Sequence, residues 1–229
     1  MKVRVVSTKD KNLAESQHAG GRLQDIIRRN RSSEALGLYA VCSAHPQVIA
    51  ASAREAHENG SVLHVESTSS QVNQFGGYTG QNPEQFAGFV RSVAWDAGLS
   101  DDQVLLGGDH LGPFPWRSES ASVAMDKACA LVRACVLAGY QKIHLDASMA
   151  CADDSMNEPL RIVLPYCAKR LRTLFVNSPQ IHHLCCMLWE LKYPRQVANQ
   201  VPRNPFRSLL LAVSNALWTH SSELLISTD

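Results

Sequence analysis

The chain has 229 residues, enough for one large domain, and its 22 lysine and arginine residues nearly balance 21 aspartate and glutamate residues. The net charge of +1 gives no broad attraction for nucleic acid or an anionic membrane, so a small molecule or another protein is the expected partner. The seven cysteines form no CxxC pair, and neither a signal peptide nor a run of roughly 18 apolar residues is present, so we expect a reduced, cytoplasmic protein.

Short apolar runs alternate with helical patterns between residues 36 and 152. Pro46 suits a first helical turn and Gly60 a helix end, and these two residues bound the first predicted helix. Continuous apolar strands that are separated by helices indicate a parallel sheet covered by helices. The predicted strands are 37–45, 61–68, 103–110 and 142–148, and the predicted helices are 46–60, 83–97 and 119–140.

This order of elements predicts an α/β protein with the (β/α)8 TIM-barrel fold, of which the chain holds about the first half. Each of the four predicted strands ends in polar residues, and the chemistry of such barrels takes place at the C-terminal ends of their strands. A doubly wound sheet is the alternative, although no GxGxxG motif follows the first strand.

Polar residues at the strand ends are the first candidates for a functional site. Asp109 and His110 would point in different directions, so Asp109 could act as a general acid while His110 binds a metal ion. The alternative is a capping aspartate beside a hydrogen-bonded histidine. The candidates are Ser43, His45, Glu66, Asp109, His110, Asp146 and Ser148.

The fourth strand end allows two interpretations. Asp146 could orient a metal-bound or sugar hydroxyl, and Ser148 could donate to a phosphate or hydroxyl group. The same two residue types also cap helix N-termini.

The loop NQFGGYTG, residues 73–80, is a further candidate for substrate binding. Gly76 and Gly77 would let backbone N–H groups approach a ligand, and Asn73 and Gln74 would add neutral hydrogen-bond donors. The P-loop pattern GxxxxGK[ST] is absent. A rigid turn packed by its own aromatic residues is the alternative.

Four stretches resemble the GatZ/KbaZ family, the accessory subunit of bacterial class II D-tagatose-1,6-bisphosphate aldolase. They are YAVCSAHPQVI (39–49), ESTSSQVNQFGGYTG (66–80), LLGGDHLGP (105–113) and GYQKIHLDASMAC (139–151), in family order. The resemblance covers residues 25–154, and residues 1–24 are expected to form a variable extension. It implies a TIM barrel related to the zinc-dependent aldolases.

The resemblance also implies roles for two residues. Asp109 matches the general acid of the zinc aldolases, and His110 matches one of their three zinc ligands. Both positions are expected to be vestigial, because the family's accessory subunit is regarded as non-catalytic. No cofactor is expected in this chain, and zinc would belong to the catalytic class II aldolase subunit, its expected partner.

The implied function is to support the stability and full activity of that catalytic subunit in galactitol or N-acetylgalactosamine catabolism. A sugar phosphate is a further expected ligand. The alternative is a sugar-phosphate enzyme in its own right, either a zinc aldolase or a tagatose 6-phosphate kinase. Against an aldolase, residues 1–154 offer one candidate metal ligand, His110, without a convincing second.

Residues 155–229 have a different composition from the rest of the chain. All 13 glycines lie at or before Gly139, although a globular stretch of roughly 75 residues would hold roughly five. Some forty residues after its Ser-Met-Ser-Cys segment, the resembling family continues with a strand that reads Tyr-Val-Ile-Gly-Thr-Glu-Val-Pro. The corresponding residues here, 186–202, read CMLWELKYPRQVANQVP.

The genetic code allows the family strand to be encoded in the adjacent reading frame. The Trp189-Glu190 codons force a glycine codon there, and codon choices throughout residues 186–202 permit YVVGTEVPPSGGESSA. We therefore expect a frameshift between about residues 155 and 163, an out-of-frame stop after Asp229, and a poorly folded or disordered tail over 155–229. A divergent C-terminal domain is the alternative. The shift would leave this form of the protein inactive.

Overall fold

The computed structural model describes residues 4–5, 19–146, 149–154 and 185–187. The strands are β1 (Arg4–Val5), β2 (Leu36–Gly37), β3 (Leu63–Thr68), β4 (Val104–Leu111), β5 (Lys142–Leu145) and β6 (Cys185–Met187). The helices are α1 (Ala19–Arg31), α2 (Pro46–Asn59), α3 (Pro83–Asp96) and α4 (Ala121–Leu137), with short 3-10 turns at Gly77–Thr79, Asp101–Gln103 and Phe114–Trp116.

Strands β3, β4, β5 and β6 form one parallel sheet in which neighbours in sequence are neighbours in space. The prediction of a parallel sheet with intervening helices is therefore confirmed. β6 lies in the segment predicted to be out of frame, and it pairs with β5 along residues 142–144. α1 begins at Ala19, inside the segment predicted to be a variable extension.

The predicted first strand, 37–45, is wrong in its extent. The structure has β2 at Leu36–Gly37, paired with β1, and then a single bridge between Val41 and Val65 of β3. The Val41 N–H donates to the His64 carbonyl at 2.9 Å, and the Glu66 N–H donates to the Val41 carbonyl at 3.0 Å. The apolar run therefore contacts the sheet at one residue before the chain turns into α2.

The ends of α2 and α3 explain why these helices were predictable. Pro46 occupies the first turn of α2, and Gly60 closes it with a left-handed backbone at φ 60°. Asn82 and Gln85 form a reciprocal capping box at the start of α3. No helix in the described part of the chain is long and apolar enough to cross a membrane.

Alternation along the strands separates an apolar face from a polar face of the sheet. Leu63, Val65, Leu106 and Ile143 are buried in the core that includes residues of α2, α3 and α4. A second buried cluster joins Ala19 and Leu23 of α1 to Val62 and Leu105. The face opposite α2, α3 and α4 carries the polar strand residues His64, Glu66, Asp109, Lys142 and His144.

Candidate functional site

An ion pair crosses the sheet from β3 to β5. Glu66, Gly107 and Lys142 are aligned in register on three neighbouring strands, and Lys142 Nζ donates to Glu66 Oε1 across the glycine. A Cβ at Gly107 would lie 2.9 Å from Glu66 Cγ and Oε1, so glycine leaves room for this pair on the strand between β3 and β5. His64 Nε2 lies 3.0 Å from the same Glu66 oxygen.

These contacts decide the charge state of Glu66. Burial raises the pKa of the Glu66 carboxyl, but the contacts with His64 and Lys142 outweigh burial and hold the pKa below its ordinary value of 4.5. Glu66 was predicted to bind substrate, and the structure places its carboxylate in this buried pair.

A bulge at the end of β4 shapes the upper part of the site. The pairing of β4 with β5 shifts register between Gly108 and Leu111, and His110 has a left-handed backbone at φ 49°. Ser69 Oγ donates to the His110 carbonyl at 3.2 Å, which fixes this conformation from β3's side of the sheet. The bulge brings the Asp109 and His110 side chains into one cluster, with 3.9 Å between Asp109 Oδ1 and His110 Nε2.

His144 of β5 completes the cluster. Its Nδ1 lies 2.8 Å from Asp109 Oδ1, and its ring centroid lies 4.4 Å from that of His110. Asp109, His110 and His144 each offer one metal-ligand atom, and these atoms all lie within 4.8 Å of one another. The sequence offered no convincing second metal ligand in residues 1–154, and the structure places His144 beside Asp109 and His110 as a candidate.

A pattern in the sequence could have revealed His144. Alternate residues of a strand share a face, so Lys142, His144 and Asp146 of KIHLD point to the same side of β5. Attention to the strand end alone leaves out the histidine two residues before Asp146.

Asp146 contacts the side of the His110 ring that faces away from Asp109. Its Oδ2 lies 2.8 Å from His110 Nδ1, and its N–H donates to the Leu111 carbonyl at 3.0 Å. A carboxylate that accepts from Nδ1 keeps the proton of a neutral imidazole on that nitrogen, and this leaves Nε2 as the ligand atom. Ser148, predicted beside it, lies outside the described residues.

Electrostatics favour an ionised Asp109. The hydrogen bond with His144 lowers the pKa of Asp109 from 3.8 to about 2, against the opposing effect of burial. The thiol of Cys42 lies 3.6 Å from Asp109 Oδ2, and burial together with this carboxylate raises the pKa of Cys42 from 9.0 to about 11. At neutral pH Asp109 is an ionised hydrogen-bond acceptor, and Cys42 is a protonated thiol.

Ser43 and His45 contribute to the start of α2. The His45 N–H donates to Ser43 Oγ, and the Gln47 N–H donates to His45 Nδ1, both at 3.2 Å. These contacts cap a helix, and substrate binding by either residue stays a prediction.

The loop at residues 73–80 is held by its own hydrogen bonds. Asn73 donates to the Ser69 carbonyl at 2.9 Å and accepts from the N–H groups of Phe75 and Gly77 at 2.9 and 3.1 Å. Gly76 and Gly77 have positive φ angles of 101° and 54°. The loop is therefore a rigid turn, but its Phe75 side chain is exposed and contacts Trp116 edge-on at 6.0 Å.

Gln74 links this loop to α4. Its Nε2 donates to the Lys127 carbonyl at 2.9 Å. The structure brings Asp109, His110 and Asp146 together. The hydrogen bonds of Asn73 and Gln74 lie instead within the loop, at Ser69 and on α4.

A model of the family described as D-tagatose-1,6-bisphosphate aldolase subunit GatZ/KbaZ-like matches residues 23–180. The chain belongs to this family. The resemblance found in the sequence is thereby confirmed. The match runs past residue 154 into the segment predicted to be out of frame, and the frameshift stays a prediction.

Curated relatives carry the same name. The D-tagatose-1,6-bisphosphate aldolase subunit GatZ of Klebsiella pneumoniae is 53% identical over 133 residues, which are 58% of this chain and 31% of that protein. The subunit of the same name from Salmonella agona is 49% identical over 132 residues, again 58% and 31% of the two chains. The chain thus spans about a third of the length of these relatives.

A solved structure shows the same fold over a larger part of the chain. The crystal structure of a "probable tagatose 6 phosphate kinase" from Sinorhizobium meliloti superposes with a TM-score of 0.61 at 36% sequence identity. The match covers 77% of this chain and 44% of the other. It supports the α/β architecture with a parallel sheet.

Proposed function

We propose that this chain derives from a GatZ-type accessory subunit of D-tagatose-1,6-bisphosphate aldolase. In its complete form the subunit would stabilise the catalytic class II aldolase subunit and support its full activity in galactitol or N-acetylgalactosamine catabolism. Membership of the GatZ/KbaZ-like family and the printed names of the relatives support this proposal. The complex would act in the cytoplasm, with the catalytic zinc on the partner subunit.

The contacts of Asp109 carry the choice of an accessory role. A general acid must present a proton to the leaving oxygen of the substrate. Asp109 Oδ1 instead faces His144 Nδ1 at 2.8 Å, and Asp109 Oδ2 accepts from the Cys42 thiol. Both oxygens of the residue that matches the aldolase acid are therefore engaged within the protein.

An enzyme in its own right is the second candidate, because the solved relative is titled a probable tagatose 6 phosphate kinase. A kinase needs backbone N–H groups that are free to hold phosphates. In the loop that was predicted to bind substrate, the N–H groups of Phe75 and Gly77 donate to Asn73. This arrangement favours the accessory role over phosphoryl transfer by this loop.

We further propose that residues 25–154 are the first half of a TIM barrel and that residues 155–229 are encoded out of frame. The absence of glycine after Gly139 and the codon compatibility of residues 186–202 support this proposal. The coding DNA tests it directly: a GTEVP-like reading in the adjacent frame is expected, and a sequence without one refutes the frameshift.

The function is tested with this chain and with a frame-corrected version of it. Each is mixed with the catalytic class II aldolase subunit of the same organism, and cleavage of D-tagatose 1,6-bisphosphate is followed during incubation at raised temperature. We expect the corrected chain to slow the loss of activity and to show no cleavage alone, and the uncorrected chain to give no protection. Cleavage by either chain alone, or ATP-dependent phosphorylation of tagatose 6-phosphate, would overturn the accessory role.

A further inference from the structure

We propose that Asp109, His110 and His144 form a zinc-binding site on this chain, with Asp146 as the residue that orients His110. This inference is independent of the accessory function. The ligand set also differs from the one that the family resemblance implied, in which His110 alone was ligand-like, Asp109 was acid-like and zinc belonged to the partner subunit. All four residues lie at the ends of β4 and β5.

The two distances from Asp109 to the histidine nitrogens lie near those of a tetrahedral ion. Zinc bonds of about 2.0–2.1 Å place neighbouring ligand atoms about 3.3 Å apart. The distance from Asp109 Oδ1 to His144 Nδ1 is 2.8 Å, and that to His110 Nε2 is 3.9 Å. Adjustments of about half an ångström, well within side-chain rotation, would give both distances their zinc-bound values.

The contact between Asp109 and His144 is one in which a zinc ion could take the place of a proton. A carboxylate oxygen and a bare imidazole nitrogen are both acceptors, so they approach to 2.8 Å only when a proton or a metal ion lies between them. A zinc ion bound to Nδ1 would replace the proton there, and the neutral imidazole of His144 would carry its proton on Nε2 instead. One carboxylate and two neutral imidazoles then leave a net charge of +1 on the occupied site.

The orientation of His110 is a separate observation that points to the same ligand. Asp146 accepts from His110 Nδ1 at 2.8 Å, in the carboxylate–histidine arrangement that supports metal-bound histidines. The left-handed backbone of His110, at φ 49°, is uncommon for a residue other than glycine. Ser69 holds this conformation through the His110 carbonyl, and together the two contacts direct Nε2 toward Asp109.

The site is open to solvent on one side, and its three protein ligands leave one position of a tetrahedral zinc ion free. The His110 side chain is about half exposed, whereas Asp109 and His144 are largely covered. Three protein ligands leave the fourth tetrahedral position for water or for an oxygen of a ligand. Imidazole and carboxylate donors favour zinc over magnesium or calcium, which prefer oxygen ligands alone.

The experiment uses the full 229-residue chain, stripped of metal with a chelator and titrated with Zn²⁺ and with Co²⁺. We expect a tetrahedral Co²⁺ absorption spectrum without a thiolate charge-transfer band, displaced by one equivalent of Zn²⁺. Asp146→Asn should weaken Zn²⁺ binding about 10–100-fold, as expected for a supporting carboxylate. His144→Gln should abolish this binding, whereas the matched control His57→Gln on the exposed face of α2 should leave it unchanged.

Any of three outcomes would overturn the site. The first is wild-type Zn²⁺ affinity in both His144→Gln and Asp146→Asn, and the second is a Co²⁺ spectrum dominated by thiolate. The third is Zn²⁺ binding that is kept in His144→Gln but lost on replacing the adjacent histidines His182 and His183. Circular dichroism of each variant separates loss of binding from loss of folding, and Asp146→Asn keeps the test available if His144→Gln does not fold.

Discussion

Gly107 shows at the scale of one residue how the polar face of the sheet is built. Gly107→Ala would place a methyl group 2.9 Å from Glu66, whose carboxylate cannot move away without breaking its pair with Lys142. We expect the variant to lose about 1–3 kcal/mol of unfolding free energy, as overpacked sites do. Urea denaturation of the variant and the wild-type chain measures the loss.

Gly88 in α3 is the matched control for this substitution. No described atom lies within 4 Å of a Cβ built there, and the residue is exposed in a helix interior. Gly88→Ala should therefore raise the unfolding free energy by up to about 1 kcal/mol, because alanine favours the helix. Equal effects of the two substitutions would contradict a special role for Gly107.

The residues of the site were only partly predictable. Asp109, His110 and Asp146 follow neighbouring strands in the sequence, and the structure brings them together because parallel strands end at one edge of a sheet. The left-handed backbone of His110 has no clear sequence signal, since most histidines do not adopt this conformation. The bulge, and therefore the approach of His110 to His144, could not be derived from the pattern.

At the scale of elements, the Glu66–Lys142 pair connects β3 to β5 across the central strand. The pKa of Glu66 is lower in the folded protein than its ordinary value of 4.5. The ionised carboxylate therefore stabilises the fold above about pH 4.5, and this stabilisation is lost as the pH falls through the lower folded value. We expect the urea midpoint of the wild-type chain to fall as the pH drops below about 4.5, and Glu66→Gln to reduce the size of that fall.

Lys142→Met tests the same ion pair from the side of its cation. It leaves the buried Glu66 carboxylate without its cation, and we expect a loss of about 3–5 kcal/mol at neutral pH. Adding Glu66→Gln to Lys142→Met should recover part of that loss. If the double variant is as unstable as the sum of the single variants, the two side chains do not stabilise the sheet as a pair.

The elements themselves were predicted best where local chemistry marks their ends. Pro46, Gly60 and the Asn82–Gln85 capping box fix α2 and α3 through their own backbone groups. The run 37–45 carries no such marks, and its apolar character does not say how many of its residues pair with a neighbouring strand. The structure pairs Val41 alone with β3.

At the scale of the whole molecule, the polar face of the sheet needs further chain packed against it. In a complete barrel that face is enclosed by the remaining strands, and an open parallel edge is otherwise a site of aggregation. The described residues cover part of this side of the sheet with α1, through Leu23 against Leu105. If residues 155–229 are out of frame, they were not selected to supply the rest.

The frameshift proposal therefore predicts weak cooperativity for the 229-residue chain. We expect a broad calorimetric transition, a van't Hoff enthalpy unequal to the calorimetric enthalpy, and strong binding of a dye that reports exposed apolar surface. The frame-corrected chain, measured alongside, should melt in one sharp transition with little dye binding, because its polar face is enclosed by the strands it regains. A sharp two-state transition of the uncorrected chain would mean that residues 155–229 complete the fold, and would favour the divergent C-terminal domain over the frameshift.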